Sequence, residues 1–245
     1  MKTALITGAN KSIGFETAKQ LLQIGYHVYI GSRDLAKGQA AVEKLKAEGL
    51  TEAEAIQIDV TDKTSINSAQ NIISEKNGSL DVLINNAGIS GGFPQNATDV
   101  DVDVIRMVFD TNFFGVINVT QVFLPLLQKS AQPVIVNVTS GLGSLTLHSD
   151  PDWKHYQAKS AAYGPSKTAL NAYTVVLAYE LRDTPIRVNV VDPGYTATDF
   201  NHNQGPLKVE DSAAFVAKYA LIDADGPTGK FFSHDYDENN NESPW

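Results

Sequence analysis

The sequence has no cysteine. That absence excludes disulfides, Cys-ligated zinc, iron–sulfur clusters and a thiol nucleophile. Histidine is sparse: His27, His148, His155, His202 and His234 are scattered, with no HExxH and no pair at helical spacing, so no metal site is expected. Positive charge is also short, with 19 Lys and Arg against 28 Asp and Glu and a formal net charge of −9. A nucleic-acid binder needs a clustered basic face to neutralise phosphates, and this balance argues against one. Long apolar runs are missing as well. The N-terminal stretch is too short for a signal-peptide core, and no run approaches the roughly 18 residues of a membrane span. A soluble cytoplasmic protein is expected, with small molecules as partners and neither nucleic acid nor membrane. No stretch rich in Pro, Gly or Ser divides the chain, so residues 1–245 read as one domain.

What is present is ordinary globular material, 42% hydrophobic and 19% charged, in a chain long enough to bury a core without staples. Short apolar runs at residues 3–7, 27–30, 55–59, 81–85, 134–138 and 186–191 alternate with stretches of helical periodicity. The latter fall near residues 13–24, 35–48, 64–76, 101–129, 162–181 and 209–220. Strands alternating with helices of ten or more residues imply βαβ crossovers, and strands apolar throughout imply burial on both faces. The expected fold is α/β: a doubly wound parallel sheet of Rossmann type with helices on both faces. The polar tail, residues 235–245, is expected to be mobile.

Between the first strand and first helix stands Thr7-Gly8-Ala9-Asn10-Lys11-Ser12-Ile13-Gly14. A dinucleotide pyrophosphate is held by backbone N–H groups at a helix N-terminus, where side chains must not intrude. Gly8 supplies the turn, and Gly14 permits close packing of helix on sheet. Such a turn by itself is often structural; its place in the first βα unit, the ligand crevice of this fold, favours a cofactor. An NAD site sets a carboxylate about 20 residues beyond the glycines. Here the second strand ends in Gly31-Ser32-Arg33, neutral then basic. The planar fork of Arg33, with Lys11 as a second positive charge, suits a 2′-phosphate. NADP(H) is therefore favoured over NAD(H); the competing reading is two solvated surface cations. Asp34 reads as the cap of the second helix.

Tyr163 and Lys167 stand at i and i+4 on one face of the helix near residues 162–181. A phenol titrates near 10 when unperturbed. A neighbouring ammonium favours phenolate and brings the proton within reach, so the tyrosine can act as general acid to a carbonyl oxygen. The bland alternative is a surface pair. The run at 134–138 delivers Thr139-Ser140-Gly141 to the carboxyl edge of the sheet, where Ser140 can donate to a substrate oxygen. Thr139-Ser140-Gly141-Leu142 is no nucleophile elbow.

With these motifs the chain resembles a short-chain dehydrogenase/reductase, most similar to the NADPH-dependent carbonyl reductases of that family, across residues 7–199. The resemblance implies a hydride-transfer enzyme acting on a ketone or aldehyde. Its catalytic residues are Asn112, Ser140, Tyr163 and Lys167, with Lys167 also bonded to the nicotinamide ribose. The implied cofactor contacts are Gly8, Asn10, Lys11, Ser12, Ile13 and Gly14 in the glycine turn and Ser32 and Arg33 after the second strand. Asp59 and Val60 follow at the adenine, then Asn86, Ala87 and Gly88 after the fourth strand. Pro193, Gly194 and Thr196 complete the set at the carboxamide. Ser12 departs from the family motif, occupying a glycine position. The 141–161 segment, longer than in compact members and shorter than in monomeric carbonyl reductases, carries His148, Trp153, His155 and Tyr156, which line the substrate mouth or, the favoured reading, pack the segment down. The alternatives are an NAD-linked alcohol dehydrogenase or enone reductase of the same fold, and an idle dinucleotide sensor. Whether the chain is a monomer or a homo-oligomer is undecided at this stage.

Overall fold

A computed structural model describes all 245 residues. Seven strands form one all-parallel sheet in the order β3-β2-β1-β4-β5-β6-β7. They are β1 (Thr3–Ile6), β2 (His27–Ser32), β3 (Ala53–Gln57), β4 (Val82–Asn85), β5 (Val134–Val138), β6 (Arg187–Asp192) and β7 (Phe231–Ser233). The helices are α1 (Ser12–Gln23), α2 (Leu35–Ala47), α3 (Lys63–Asn77), α4 (Val102–Phe109), α5 (Gly115–Leu127), α6 (Leu145–Ser149), α7 (Tyr163–Glu180) and α8 (Val209–Ala220).

Strand alternation explains the double winding. Ala4 and Ile6 face a core with Leu21 of α1, Leu45 of α2 and Phe215 of α8, while Leu5 faces a second core with Ile73 of α3, Phe123 of α5 and Leu177 of α7. Both faces being covered, the strands are mostly apolar on both sides, which is why period-two polarity is missing from the sequence; among the buried exceptions, Asn85 and Asn137 bond to each other at 2.8 Å. The chain order changes direction between β1 and β4, and such a switch point opens a crevice at the carboxyl ends of the strands.

The structure differs from the sequence reading in four places. β3 lies two residues earlier than expected, because its pairing with β2 matches Val28 to Ala53. β7 has only three residues, too short to carry a pattern. The stretch expected as one helix is divided by a π turn at Asp110–Phe114. Its full span, Val102–Leu127, is a 26-residue helical stretch apolar enough by length and composition to cross a bilayer, which corrects the expectation that no run approaches that length. Its apolar residues Val119, Phe123, Leu126 and Leu127 are buried against the sheet. The tail is not loose: Ser243 N–H donates to Phe231 O at 2.8 Å, Thr146 N–H donates to Trp245 O at 3.0 Å, and Trp245 packs on Phe231 at 5.7 Å. Its polar composition hid the backbone pairing and the aromatic anchor.

Candidate active site

Four loops meet at the carboxyl edge of the sheet: residues 7–11 after β1, 86–95 after β4, 139–144 after β5 and 193–207 after β6. Gly8 turns with φ +65° and Gly14 sits where a side chain would meet Asn86 Nδ2 at 2.5 Å. Asn86 braces this turn, its Nδ2 donating to Thr7 O at 2.9 Å and Gly8 O at 3.2 Å, while Thr7 Oγ1 accepts from Asn86 and Ala87 N–H at 3.0 Å each. α2, α3 and α4 are capped by Asp34, Asp62 and Asp101, whereas α1, like α5, α7 and α8, has no side-chain cap from its N-cap residue. Its first N–H groups face the crevice with the positive end of the helix behind them. An anionic pyrophosphate fits that end.

Ser12 takes φ +53°, the left-handed region that costs a residue with a Cβ about 1–2 kcal/mol. A glycine avoids that strain but loses about 0.5–1 kcal/mol through the freedom of its unfolded chain. Ser12→Gly is therefore expected to raise the thermal midpoint by about 2–4 °C, the equivalent of about 1 kcal/mol at this size. A lower midpoint in a thermal melt would show that the serine side chain earns its place through a contact of its own.

A cleft of about 530 Å³ runs past Arg33, Gln57, Asp59 and Ser65. Its carboxylates are already engaged. Asp59 Oδ1 accepts from Thr61 N–H at 2.9 Å and Thr61 Oγ1 at 2.7 Å, Asp62 caps α3, and Glu54 pairs with Lys76. Outside the cleft lining, Asp34 caps α2 by accepting from Lys37 N–H at 3.2 Å. Arg33 is exposed at the rim. Ser32, by contrast, is buried and donates to Asp34 O at 2.8 Å. Val60 is buried near Gly115, and Ile13 packs on the core. Lys11 reaches Asp199 Oδ2 at 3.2 Å, an ion pair 61% exposed on both sides.

Ser140 follows β5, its Oγ accepting from Leu142 N–H at 3.2 Å. Tyr163 opens α7 beside it, and the Lys167 Nζ lies 5.7 Å from the Tyr163 ring centroid. Lys167 is buried and donates to Val138 O at 2.9 Å. Burial raises the Tyr163 phenol above its ordinary range, the Asp192 carboxylate adds to that, and the Ser140 hydroxyl works against both. Burial pushes Lys167 down to about 8, opposed by Asp192. The sequence reading has Lys167 drawing the phenol towards phenolate; burial acts on Tyr163 in the opposite direction, because charge is costly away from water.

Asn112 occupies the π turn and is fully buried. Its Oδ1 accepts from Ile89 N–H at 2.9 Å, and its Nδ2 donates to Ile89 O at 2.9 Å and Ser166 Oγ at 3.1 Å. Gly88 lies beside it, where a side chain would stand 3.3 Å from Asn112 Oδ1 and 3.7 Å from Lys167 Nζ. Thr196 is turned inward: its Oγ1 donates to Gly194 O at 3.0 Å and lies 2.6 Å from Ser212 Oγ. Asn10 is partly exposed at the crevice.

Besides Asp192 at the end of β6, two residues escaped the sequence reading. Gln95 is buried, and its Oε1 accepts from the N–H groups of Ala162 at 3.1 Å and Tyr163 at 3.0 Å while Nε2 donates to Ser90 O and Gly92 O at 2.6 Å each. It thereby ties the 89–95 loop to the start of α7, and nothing local in the sequence marks it. Phe200 packs on Tyr163 with centroids 5.4 Å apart. A row of rings continues through the 141–161 segment: His148 to Trp153 at 5.5 Å, Trp153 to His155 at 5.3 Å, and His155 to Tyr195 at 5.9 Å. These contacts pack the segment against the loop after β6.

A doubly wound parallel sheet with an open helix N-terminus at its switch point and a Ser-Tyr-Lys cluster across the crevice defines a nicotinamide-dependent oxidoreductase of Rossmann type. The chain belongs to the short chain dehydrogenase family, whose profile matches residues 2–208. It is 34% identical over 298 aligned positions to (+)-neomenthol dehydrogenase of Capsicum annuum, covering 94% of each chain. Salutaridine reductase from Papaver somniferum superposes with a TM-score of 0.83 at 32% identity, covering 96% of this chain and 100% of that one. NADPH-bound carbonyl reductase from chicken fatty liver gives 0.85 at 27% identity, covering 100% and 99%. The protein is thus an oxidoreductase acting on carbonyl or alcohol substrates with a nicotinamide dinucleotide.

Proposed function

We propose that the protein is an NADPH-dependent reductase of ketones or aldehydes, with Tyr163 as general acid. The observation that carries this reading is the convergence of Ser140, Tyr163 and Lys167 beside the crevice, and burial raising the Tyr163 phenol favours its protonated form. The bound cofactor supplies hydride to the carbonyl carbon. Ser140 donates to the carbonyl oxygen and orients it, and Tyr163 gives that oxygen its proton as negative charge develops there. Lys167, as an ammonium, stabilises the phenolate left behind. Asn112 holds the 89–95 loop and the first turn of α7 in register, next to the route by which the proton is replaced. Gly8 and Gly14 and the open end of α1 hold the pyrophosphate. Arg33, assisted by Lys11, would take the 2′-phosphate, and the loop of Pro193, Gly194 and Thr196 would meet the carboxamide through its backbone, the Thr196 hydroxyl being turned to Gly194 O and Ser212. The aromatic rings of Trp153, His155, Tyr195 and Phe200 suit a carbonyl flanked by apolar groups.

A panel of ketones, aldehydes and enones, followed by NADPH and NADH absorbance, tests this reading. Turnover of a ketone or aldehyde with NADPH is the expected result. Consumption confined to enones would move the reaction to a carbon–carbon double bond, and binding without turnover on every compound would make the protein a sensor.

A further inference from the structure

Asp192 ends β6 with 4% of its surface exposed, a buried carboxylate at the last position of the strand. Both hydrogen bonds of its side chain come from donors: Gly194 N–H donates to Oδ1 at 3.0 Å and Ser233 Oγ donates to Oδ2 at 2.7 Å. Gly141 lies beside it, where a side chain would stand 3.2 Å from Oδ2. Burial raises the carboxyl above its ordinary range and these donors oppose that, since an ionised carboxyl only accepts. The three neighbours come from three elements: the turn after β5 that carries Ser140, the loop after β6 expected at the carboxamide, and β7.

The sheet register places this anion next to the catalytic lysine. Val138 of β5 pairs with Val191 of β6, so Asp192 follows the partner of the residue whose carbonyl receives the Lys167 ammonium at 2.9 Å. That ammonium is buried against a neutral carbonyl, and a buried cation without a counter-charge tends to shed its proton. The other charged groups near Asp192 are accounted for. Asp235, in the turn after β7, is neutralised by Lys154 at 3.0 Å and His155 at 3.3 Å. His234 turns its ring onto Phe215 of α8 at 5.2 Å. From α7, Lys167 and Tyr163 feel its charge.

We propose that Asp192 is a positioning residue of the carbonyl-reducing site: it ties the Ser140 turn to the Pro193-Gly194 loop, and its negative charge keeps Lys167 an ammonium and Tyr163 a phenol. This rests on the reading of Ser140, Tyr163 and Lys167 as the reacting cluster. The direction of both effects is the same, because a buried anion stabilises the cation and destabilises the phenolate. Removing it therefore lowers the pH at which each group gives up its proton.

The test is made first on the cofactor-free protein. With lysines labelled at 13Cε, the Lys167 resonance, assigned by its disappearance in Lys167→Arg, reports the titration midpoint by NMR. In Asp192→Asn that midpoint is expected to fall by about one pH unit or more. In steady-state reduction, the alkaline limb of the kcat profile moves to lower pH by a similar amount. A role confined to holding the loops together would lower the thermal midpoint and leave both pH midpoints where they are, which would overturn the proposal. Should Asp192→Asn fail to fold, the reciprocal experiment decides: coupling is mutual, so in Lys167→Met the Asp192 13Cγ resonance titrates at higher pH than in the wild type. An unmoved Asp192 midpoint refutes the proposal. Because the resonances need no turnover, failure of the substrate panel and failure of this idea are separable.

Discussion

Tyr163→Phe is expected to cut carbonyl reduction by about 10³-fold, the middle of the range for general acid catalysis, while the affinity for NADPH stays within about twofold. The substitution removes one oxygen and nothing else. The ring keeps its packing against Phe200, and the backbone N–H keeps its bond to Gln95 Oε1 at 3.0 Å, so α7 starts in the same place. What is lost is the donor that must deliver a proton to the carbonyl oxygen as hydride arrives at carbon. A 10³-fold loss is about 4 kcal/mol of transition-state stabilisation. Ser140 has a hydroxyl, but the Leu142 N–H that donates to it at 3.2 Å holds it as an orienting group, with no base arranged to replenish a proton. Equilibrium titration of NADPH fluorescence alongside the rate separates binding from chemistry. Retained turnover would remove Tyr163 from the role of acid, and a parallel loss of binding would mean that the phenol supports the cofactor instead.

The second large effect is on cofactor choice. Arg33→Asp is expected to weaken NADPH by about 100-fold relative to NADH, which is about 2.7 kcal/mol and within reach of a charge-assisted bidentate contact replaced by a like charge. The surroundings of Arg33 support assigning the effect to this residue. Nearby carboxylates that could otherwise serve a ribose 2′-OH are committed to Thr61, to Lys76, or to capping α2 and α3. A new carboxylate at position 33 would repel a phosphate and accept from a hydroxyl. Lys11 contributes less. It is paired with Asp199 on the opposite side of the crevice, and at 61% exposure on both sides such a pair is worth about 0–1 kcal/mol, so it yields readily to a phosphate without adding much. The ratio of dissociation constants for the two cofactors is the measurement. An unchanged ratio would place recognition of the 2′-phosphate elsewhere.

The fold was legible because its information is local and repeated. Parallel strands buried on both faces read as short apolar runs, and amphipathic helices read as 3.6-residue periodicity between them. β5 and α8 were located to the residue. Asp34 was legible as a cap because capping is chemistry within a few residues, and its Oδ1 accepts from Lys37 N–H as that chemistry requires. β7 and the tail were not legible. Three residues carry no period, and the tail is ordered by a backbone bond to Phe231, a bond from the 145–149 helix and one aromatic contact, none of which leaves a composition signal.

The sequence by itself determined the class of fold, the family, and which hydroxyl, phenol and ammonium stand ready at the sheet edge, since each is fixed by residue type and short spacing. Only the tertiary structure decided their electrostatics. Burial raises the Tyr163 phenol, Lys167 bonds a neutral carbonyl, and Asp192 and Gln95 reach the cluster from strand and loop positions distant in sequence. The reason is physical: a side chain's identity is local, but desolvation and the field around it are sums over everything the fold brings near.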